Sequence, residues 1–263
     1  MVKKEFNTDV ALLSVTTTEF NAVMYFHDWK AKTFPGDEQI YDVATFERDG
    51  KKRSLVHAKI SEMGMTAAAA TAMKVIHTFR PRYIIMVGIA AGVVKSEIEK
   101  QMYGDVIVPD VVWNYSAGKF VSPEKASIVY GNLGFLPRST TEAIPEEIVP
   151  YLRKAVDSPE NPCHAYIGPM ACGSTVVASR ELLEKQVYSQ YQHTAGLDME
   201  SYAVVYAANH SSEPKSVPLI VKSVCDFADS KKSDEYQRFA AYSSCEFAKF
   251  LYEKILPMGD EDK

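Results

Sequence analysis

No stretch of the sequence reaches the roughly 18 uninterrupted apolar residues that a membrane-crossing helix needs, so a helical membrane protein is not indicated. Basic blocks are missing too: 29 lysines and arginines and 34 acidic residues are spread along the whole length, giving a formal charge of -5. Without a cationic stripe, nucleic acid and anionic membrane surfaces are poor partners. Cysteine is sparse. Cys163, Cys172, Cys225 and Cys245 show no C-x-x-C spacing and no histidine at zinc-finger intervals, so no metal site and no disulfide framework are indicated, and reduced, mostly buried thiols are expected. The opening MVKKEFNTDVALLSV has two lysines but only a short apolar run after Asp9 and no small-residue cleavage site. It does not read as a secretory signal, and a cytoplasmic location is expected. Internal repeats and low-complexity tracts are absent as well.

What is present fits one large globular domain over 1-263: 46% hydrophobic and 24% charged side chains in 263 residues. Apolar runs of strand length recur at Val10 to Val15, Leu55 to Ile60, Tyr83 to Val87, Val106 to Val112, Ala165 to Ile167 and Leu219 to Val224. Several are continuously apolar, the pattern of strands covered on both faces. Helical patterns lie between them, at Thr18 to Lys30, Thr66 to Phe79, Ser179 to Tyr188, Met199 to Asn209 and Asp234 to Ile255. This alternation predicts an α/β fold, a three-layer sandwich with a central mixed sheet flanked by helices. The stretch at about 113-162 differs, with its prolines, a Gly-Asn-Leu-Gly turn and a Ser-Thr-Thr run; from Ser116 to Pro162 it reads as a surface excursion with one helix near Glu146 to Val156.

Four segments place polar residues at strand ends, where α/β folds assemble their sites. Ser14-Val-Thr-Thr-Thr-Glu19 brings hydroxyls and a carboxylate to a helix start; its plain reading is a cap from Thr17 or Thr18 with Glu19 on the favourable end of the helix dipole. Gly88-Ile-Ala-Ala-Gly92 lacks both the dinucleotide and the phosphate-loop spacing, so no nucleotide cofactor is expected; its small residues are either a tight strand exit without function or a place where a ligand approaches the backbone. Leu197-Asp-Met-Glu200 puts two carboxylates around Met199 in apolar surroundings; Glu200 is either a first-turn residue on a favourable helix dipole or a partly buried charge that demands partners such as a ribose diol. The run Leu219 to Asp229 delivers Asp226 at the end of a buried strand. Such an aspartate is either a turn former or, held against apolar walls, an acid suited to proton delivery.

In this order the four segments resemble the nucleoside phosphorylase/nucleosidase superfamily, and within it the methylthioadenosine/S-adenosylhomocysteine nucleosidase branch. The matching elements are Glu19 at the first helix, the loop Gly88 to Gly92, the Met199-Glu200 pair and Cys225-Asp226-Phe-Ala-Asp229. Gly104-Asp-Val-Ile-Val-Pro and Lys59 to Ala70 add to the likeness, which covers nearly all of the chain except about 113 to 162. The resemblance implies a nucleoside phosphorylase-like fold and hydrolysis of the N-glycosidic bond of a purine nucleoside, adenine above all, such as methylthioadenosine or S-adenosylhomocysteine. It also implies a homodimer or higher homo-oligomer with no cofactor.

By the same resemblance Asp226 would protonate purine N7, Glu200 would bind the ribose hydroxyls and Glu19 would activate water. Met199 would pack on the sugar, with Ile89 and Ala90 in the glycine loop. Gly173 to Val177 would contact the base, Val176 as a wall and Val177 through its backbone. Phosphorylases of the family hold phosphate with an arginine near the first strand and a Ser or Thr in the glycine loop; the corresponding places here carry Glu19 and Ile89. A carboxylate about 4 Å from phosphate opposes it by roughly 1 to 4 kcal/mol, which favours water. Cys225 stands where many relatives have Ser, Lys222 where nucleosidases have Arg, and Ile89 where they have Ser. A phosphate-dependent phosphorylase, a nucleosidase acting on an adenine nucleotide and a non-catalytic binding module remain the alternatives.

Overall fold

The computed structural model describes residues 5–93, 101–230 and 233–259, so Lys3 and Lys4 of the opening segment lie outside the described residues. The chain starts with β1 (Thr8–Ser14), which feeds α1 (Thr17–Tyr25). A hairpin of β2 (Lys30–Phe34) and β3 (Asp37–Arg48) leads to β4 (Lys51–Lys59), α2 (Met65–Phe79) and the central strand β5 (Pro81–Ala91). Next come β6 (Val106–Val108), β7 (Val111–Asn114), β8 (Gly118–Val121), β9 (Ile128–Tyr130), β10 (Leu133–Pro137) and β11 (Thr141–Ala143). The remainder is α3 (Val149–Val156), β12 (Ala165–Ile167), β13 (Met170–Cys172), α4 (Arg180–Leu183), β14 (Gly196–Asp198), α5 (Ser201–Asn209), β15 (Val217–Asp226) and α6 (Gln237–Phe250).

Among the described residues twelve strands make one mixed sheet whose main path runs β11-β7-β13-β14-β5-β1-β4-β3-β2, with β15 joined to β5 and β6, and β12 to β6. β1 lies parallel to both β4 and β5, and β15 parallel to β5, so the C-terminal ends of these strands open toward the same edge. Every residue of β15 after Val217 is buried, as its continuous apolar run requires. Helices cover both faces: α6 packs on β15, β5 and α1, while α2 and α5 pack on each other. In α2 the buried stripe Ala68, Thr71, Ala72, Val75, Ile76, Phe79 has the spacing of a helix with one face in the core. Pro81 forbids its continuation, and Arg80 closes it in the left-handed region at φ 44°. No helix among the described residues is long and apolar enough to cross a membrane.

Several expectations about elements need correction. The helix read over Thr18 to Lys30 ends at Tyr25, and Lys30 instead opens β2, where Phe34 packs edge-on to Tyr41 and Phe79. The long hairpin strand β3 has no counterpart among the expected strands; its alternation is diluted by polar residues because only Tyr41 and Phe46 point fully into the core. Val106 to Val112 is two strands. Pro109 has no amide to offer, and the halves take different partners, β6 with β12 and β15, β7 with β11 and β13. The excursion contains an antiparallel sheet in the order β8-β10-β9, and β11 within it returns to the main sheet. The cap of α1 is Thr16, not Thr17 or Thr18.

Candidate active site

The strand ends converge on a cavity of about 220 Å³. Gly173 and Ser174 of the expected base-contacting stretch do not line it, whereas Glu19, Ile89, Ala90, Val176, Val177, Met199, Glu200 and Asp226 do. Of these, Val176 is the most open, at 48% exposure, whereas Glu19, Glu200 and Asp226 are buried. Residues that the sequence did not single out for the site also line it, among them Met63, Tyr115, Leu197 and Gln237. No periodicity marks them, because they come from turns, a strand and a helix start brought together only by the sheet.

Glu19 is fixed by its own helix. Thr16 caps α1 through a bond from the Glu19 amide at 3.1 Å, and Oε2 of Glu19 accepts from the amides of Thr16 at 2.7 Å and Val15 at 2.9 Å, completing a capping box. Gly88 to Ala91, expected as a loop, are the last residues of β5, paired with β15, and the amide of Ile89 there supplies a third donor at 2.8 Å from Oε1. Gly88 permits this approach: its φ is +147°, and a Cβ there would run into the Glu19 carboxylate. The Gly88 amide donates to Ser244 Oγ of α6 at 2.7 Å, which itself donates to the Val221 carbonyl, so this end of β5 is tied to both β15 and α6.

Asp198 and Glu200 enter from the β14–α5 junction. Asp198 accepts from the amide and hydroxyl of Ser201, the first residue of α5, the hydroxyl at 2.6 Å. Glu200 Oε1 accepts from the Gly64 amide at 2.9 Å. Between the acids stands Lys222 of β15, 1% exposed, with Nζ 3.9 Å from Glu19 Oε1, 3.6 Å from Asp198 Oδ2 and 3.7 Å from Glu200 Oε2. Burial alone would lower the Lys222 pKa, but the three carboxylates outweigh it and hold it above the usual lysine value. Burial pushes the Glu200 carboxyl up; Lys222 pulls it back, and Asp198 adds to the rise.

Asp226 reaches the cavity through a bulge. The register of β15 on β5 shifts between Val224 and Asp226, so Cys225 is the extra residue, and both Cys225 and Asp226 line the cavity. Asp226 Oδ1 accepts from the Ala228 amide at 2.9 Å, and the Cys225 thiol lies 3.4 Å from Oδ2 as a donor. The four cysteines are free; three are buried and Cys163 is partly so. Among the described residues no cluster of His, Cys, Asp and Glu could hold a metal ion.

The family model described as the phosphorylase superfamily matches residues 9–255. The chain belongs to the phosphorylase superfamily. As a superfamily member it is 30% identical over 94% of its length to the uncharacterized protein y4jS of Sinorhizobium fredii, covering 60% of that protein. It is 28% identical over 74% of its length to the ATP nucleosidase Cap17 of Escherichia coli, covering 40% of it. The chain thus spans about half the length of the curated relatives it matches. Among solved structures, the 5'-methylthioadenosine/S-adenosylhomocysteine nucleosidase of Helicobacter pylori superposes with a TM-score of 0.74 at 17% identity, over 95% of this chain and all of that one. That likeness establishes the nucleoside phosphorylase-like fold.

Proposed function

We propose that the chain is an N-glycosidase that hydrolyses the bond between a purine, adenine in the first instance, and ribose. The observation that carries this reading is the convergence of Glu19, Glu200 and Asp226 on one cavity, beside Asp198 and Lys222. Cleavage of this bond builds positive charge on the sugar, as in glycoside hydrolysis generally. With four acids and one lysine lining it, the cavity carries excess negative charge where that cation forms, the kind of preorganised electrostatics that contributes most to many enzymes.

Roles follow from the lone pairs left over. A carboxylate offers about four acceptor positions. Oε2 of Glu19 uses two on the amides of Val15 and Thr16, while Oε1 uses one on Ile89 and keeps another to take a proton from attacking water. Glu200 keeps acceptors for the ribose hydroxyls after its bond to Gly64. Asp226 is the proton donor to the leaving base, Met199 packs on the sugar, and Val176 and Val177 wall the base.

Water is the nucleophile in this reading. Phosphate entering beside Glu19 would meet like charge, and the one cation lining the cavity among the described residues, Lys222, is already surrounded by three carboxylates. The Ile89 amide is committed to Glu19 and its side chain has nothing to donate. A second reading, hydrolysis of an adenine nucleotide by the same groups, draws on the identity to an ATP nucleosidase. The deciding experiment incubates the protein with methylthioadenosine, S-adenosylhomocysteine, adenosine, inosine, AMP and ATP, with and without phosphate, and identifies the products. Free base and free sugar or sugar phosphate without added phosphate is the expected result. A strict phosphate requirement with a sugar 1-phosphate product would convert the reading to phosphorolysis.

A further inference from the structure

Beneath the cavity a second group of chemically suggestive residues is assembled from three strands. Ser14 ends β1, His57 lies on β4 and Asp42 on β3. Ser14 Oγ is 2.9 Å from His57 Nε2, and His57 Nδ1 is 3.2 Å from Asp42 Oδ2. Ser14 and His57 are completely buried, with the imidazole also in ring contact with Phe20 and Trp29. A hydroxyl so enclosed meets no substrate, so this is not a nucleophile with its base.

The protonation of the chain of three is set by its ends. Burial lowers the His57 pKa, opposed by Asp42, and leaves the ring neutral near pH 7. Asp42 can only accept, so the ring hydrogen sits on Nδ1, and Nε2 is left to accept the Ser14 hydroxyl hydrogen. The Ser14 side chain therefore has one satisfied orientation.

The backbone immediately after Ser14 carries that order toward Glu19. The peptide unit joining Ser14 to Val15 accepts from the Ile60 amide at 2.7 Å through its carbonyl and donates to Glu19 Oε2 at 2.9 Å through its N–H. The next amide, that of Thr16, donates to the same oxygen. Fixing the Ser14 side chain thereby fixes the plane whose amide aims Glu19.

We infer that Ser14, His57 and Asp42 form a positioning relay for Glu19, acting through the Ser14–Val15 peptide unit and touching neither the substrate nor the attacking water. The inference rests on the reading of Glu19 as the base. Small displacements of a catalytic group cost much in rate, so Ser14→Ala is expected to lower kcat by about ten- to a hundredfold with KM within about twofold. Asp42→Asn keeps an acceptor for Nδ1–H but drops the charge, and is expected to lower kcat by less than Ser14→Ala does.

The test pairs those kinetics with amide hydrogen exchange, which needs no turnover. In Ser14→Ala the amides of Val15 and Thr16 should exchange at least about tenfold faster than in the parent, while amides in the middle of β15 stay protected. A purely structural role would instead lower Tm and speed exchange throughout, leaving kcat unchanged at temperatures well below the transition. Unchanged kcat, or unchanged exchange at Val15 and Thr16, overturns the relay. If the parent protein cleaves no nucleoside or nucleotide, the proposed function fails and the exchange result still decides whether the relay holds Glu19. Should Ser14→Ala not fold, the exchange at Val15 in Asp42→Asn decides in its place, faster if the relay operates and parental if it does not.

Discussion

The amide of Ile89 donates to Oε1 of Glu19 at 2.8 Å, so the C-terminal end of the central strand grips the carboxylate that opens the first helix. Two elements far apart in sequence are thereby set against each other at the point where the proposed chemistry needs a fixed base. How each side of that contact is built determines how variants should behave.

Glu19→Gln keeps the shape and exchanges an acceptor for a donor. Its amide group must face either Ile89 or the pair Val15 and Thr16, all of which donate. General-base catalysis contributes about 10² to 10⁴ in rate, so kcat should fall by that order with KM little changed. Steady-state kinetics with the preferred substrate checks this; turnover at the parental rate would remove Glu19 from the mechanism.

Gly88→Ala is expected to harm both fold and function. At φ +147° an alanine is strained, by about 1 to 3 kcal/mol, and its methyl would collide with the Glu19 carboxylate. Urea denaturation should show the loss, and residual turnover should drop even where the variant is fully folded. A variant of parental stability and rate would mean that the end of β5 relaxes freely.

Lys222→Met leaves three buried carboxylates facing one another. Removing one partner from a buried ionic group costs about 3 to 5 kcal/mol, which a chemical denaturation curve reads directly. Lys222→Arg restores the charge and should lose less, about 1 to 3 kcal/mol, for the added volume. Equal stability of the methionine variant and the parent would show that the cluster carries no net ionic interaction.

The raised pKa of Glu200 has a definite sign for stability. Its carboxyl ionises more readily in the unfolded chain than in the folded one, so stability is full below the unfolded pKa and declines as pH rises through the folded one. Glu200→Gln mimics the protonated form. Its Tm should therefore match the parent at about pH 4 and exceed it at about pH 8, while activity is lost at both. A Tm difference that does not grow with pH would contradict the assigned shift.

Asp226→Asn removes the proton for the leaving base. Turnover of a purine nucleoside should fall by about 10² or more, whereas a nitrophenyl riboside, whose leaving group departs unprotonated, should lose much less. Equal losses on both substrates would assign Asp226 to binding.

Much of the fold and site is legible in the sequence because strand ends carry chemistry and continuous apolar runs mark buried strands. The runs at Tyr83 and Leu219 lie within β5 and β15, and Asp226 at the end of the second meets Glu19, which follows the Val10 run, in one cavity. What escapes has a common cause in partners that are distant along the chain. The β3 hairpin looks polar because most of its side chains are only partly covered. Thr17 and Thr18 are by type as fit to cap as Thr16, and the choice is made by Glu19 reaching back three residues. Lys222 stands out in the sequence only as a substitution for arginine; its place among three acids requires β1, β14 and β15 to be gathered around β5, which no local pattern reveals. Ser14, His57 and Asp42 carry no signal as a group, since their contact depends on the pairing of β4 with both β1 and β3.

The bulge at Cys225 has a longer reach than its one residue suggests. Two consecutive residues, Cys225 and Asp226, line the cavity at the register shift. Exchange of the sulfur neighbour can thus alter the immediate company of the acid while the backbone that carries it stays as it is, leaving the sequence a ready site for changing reactivity without redesigning the scaffold.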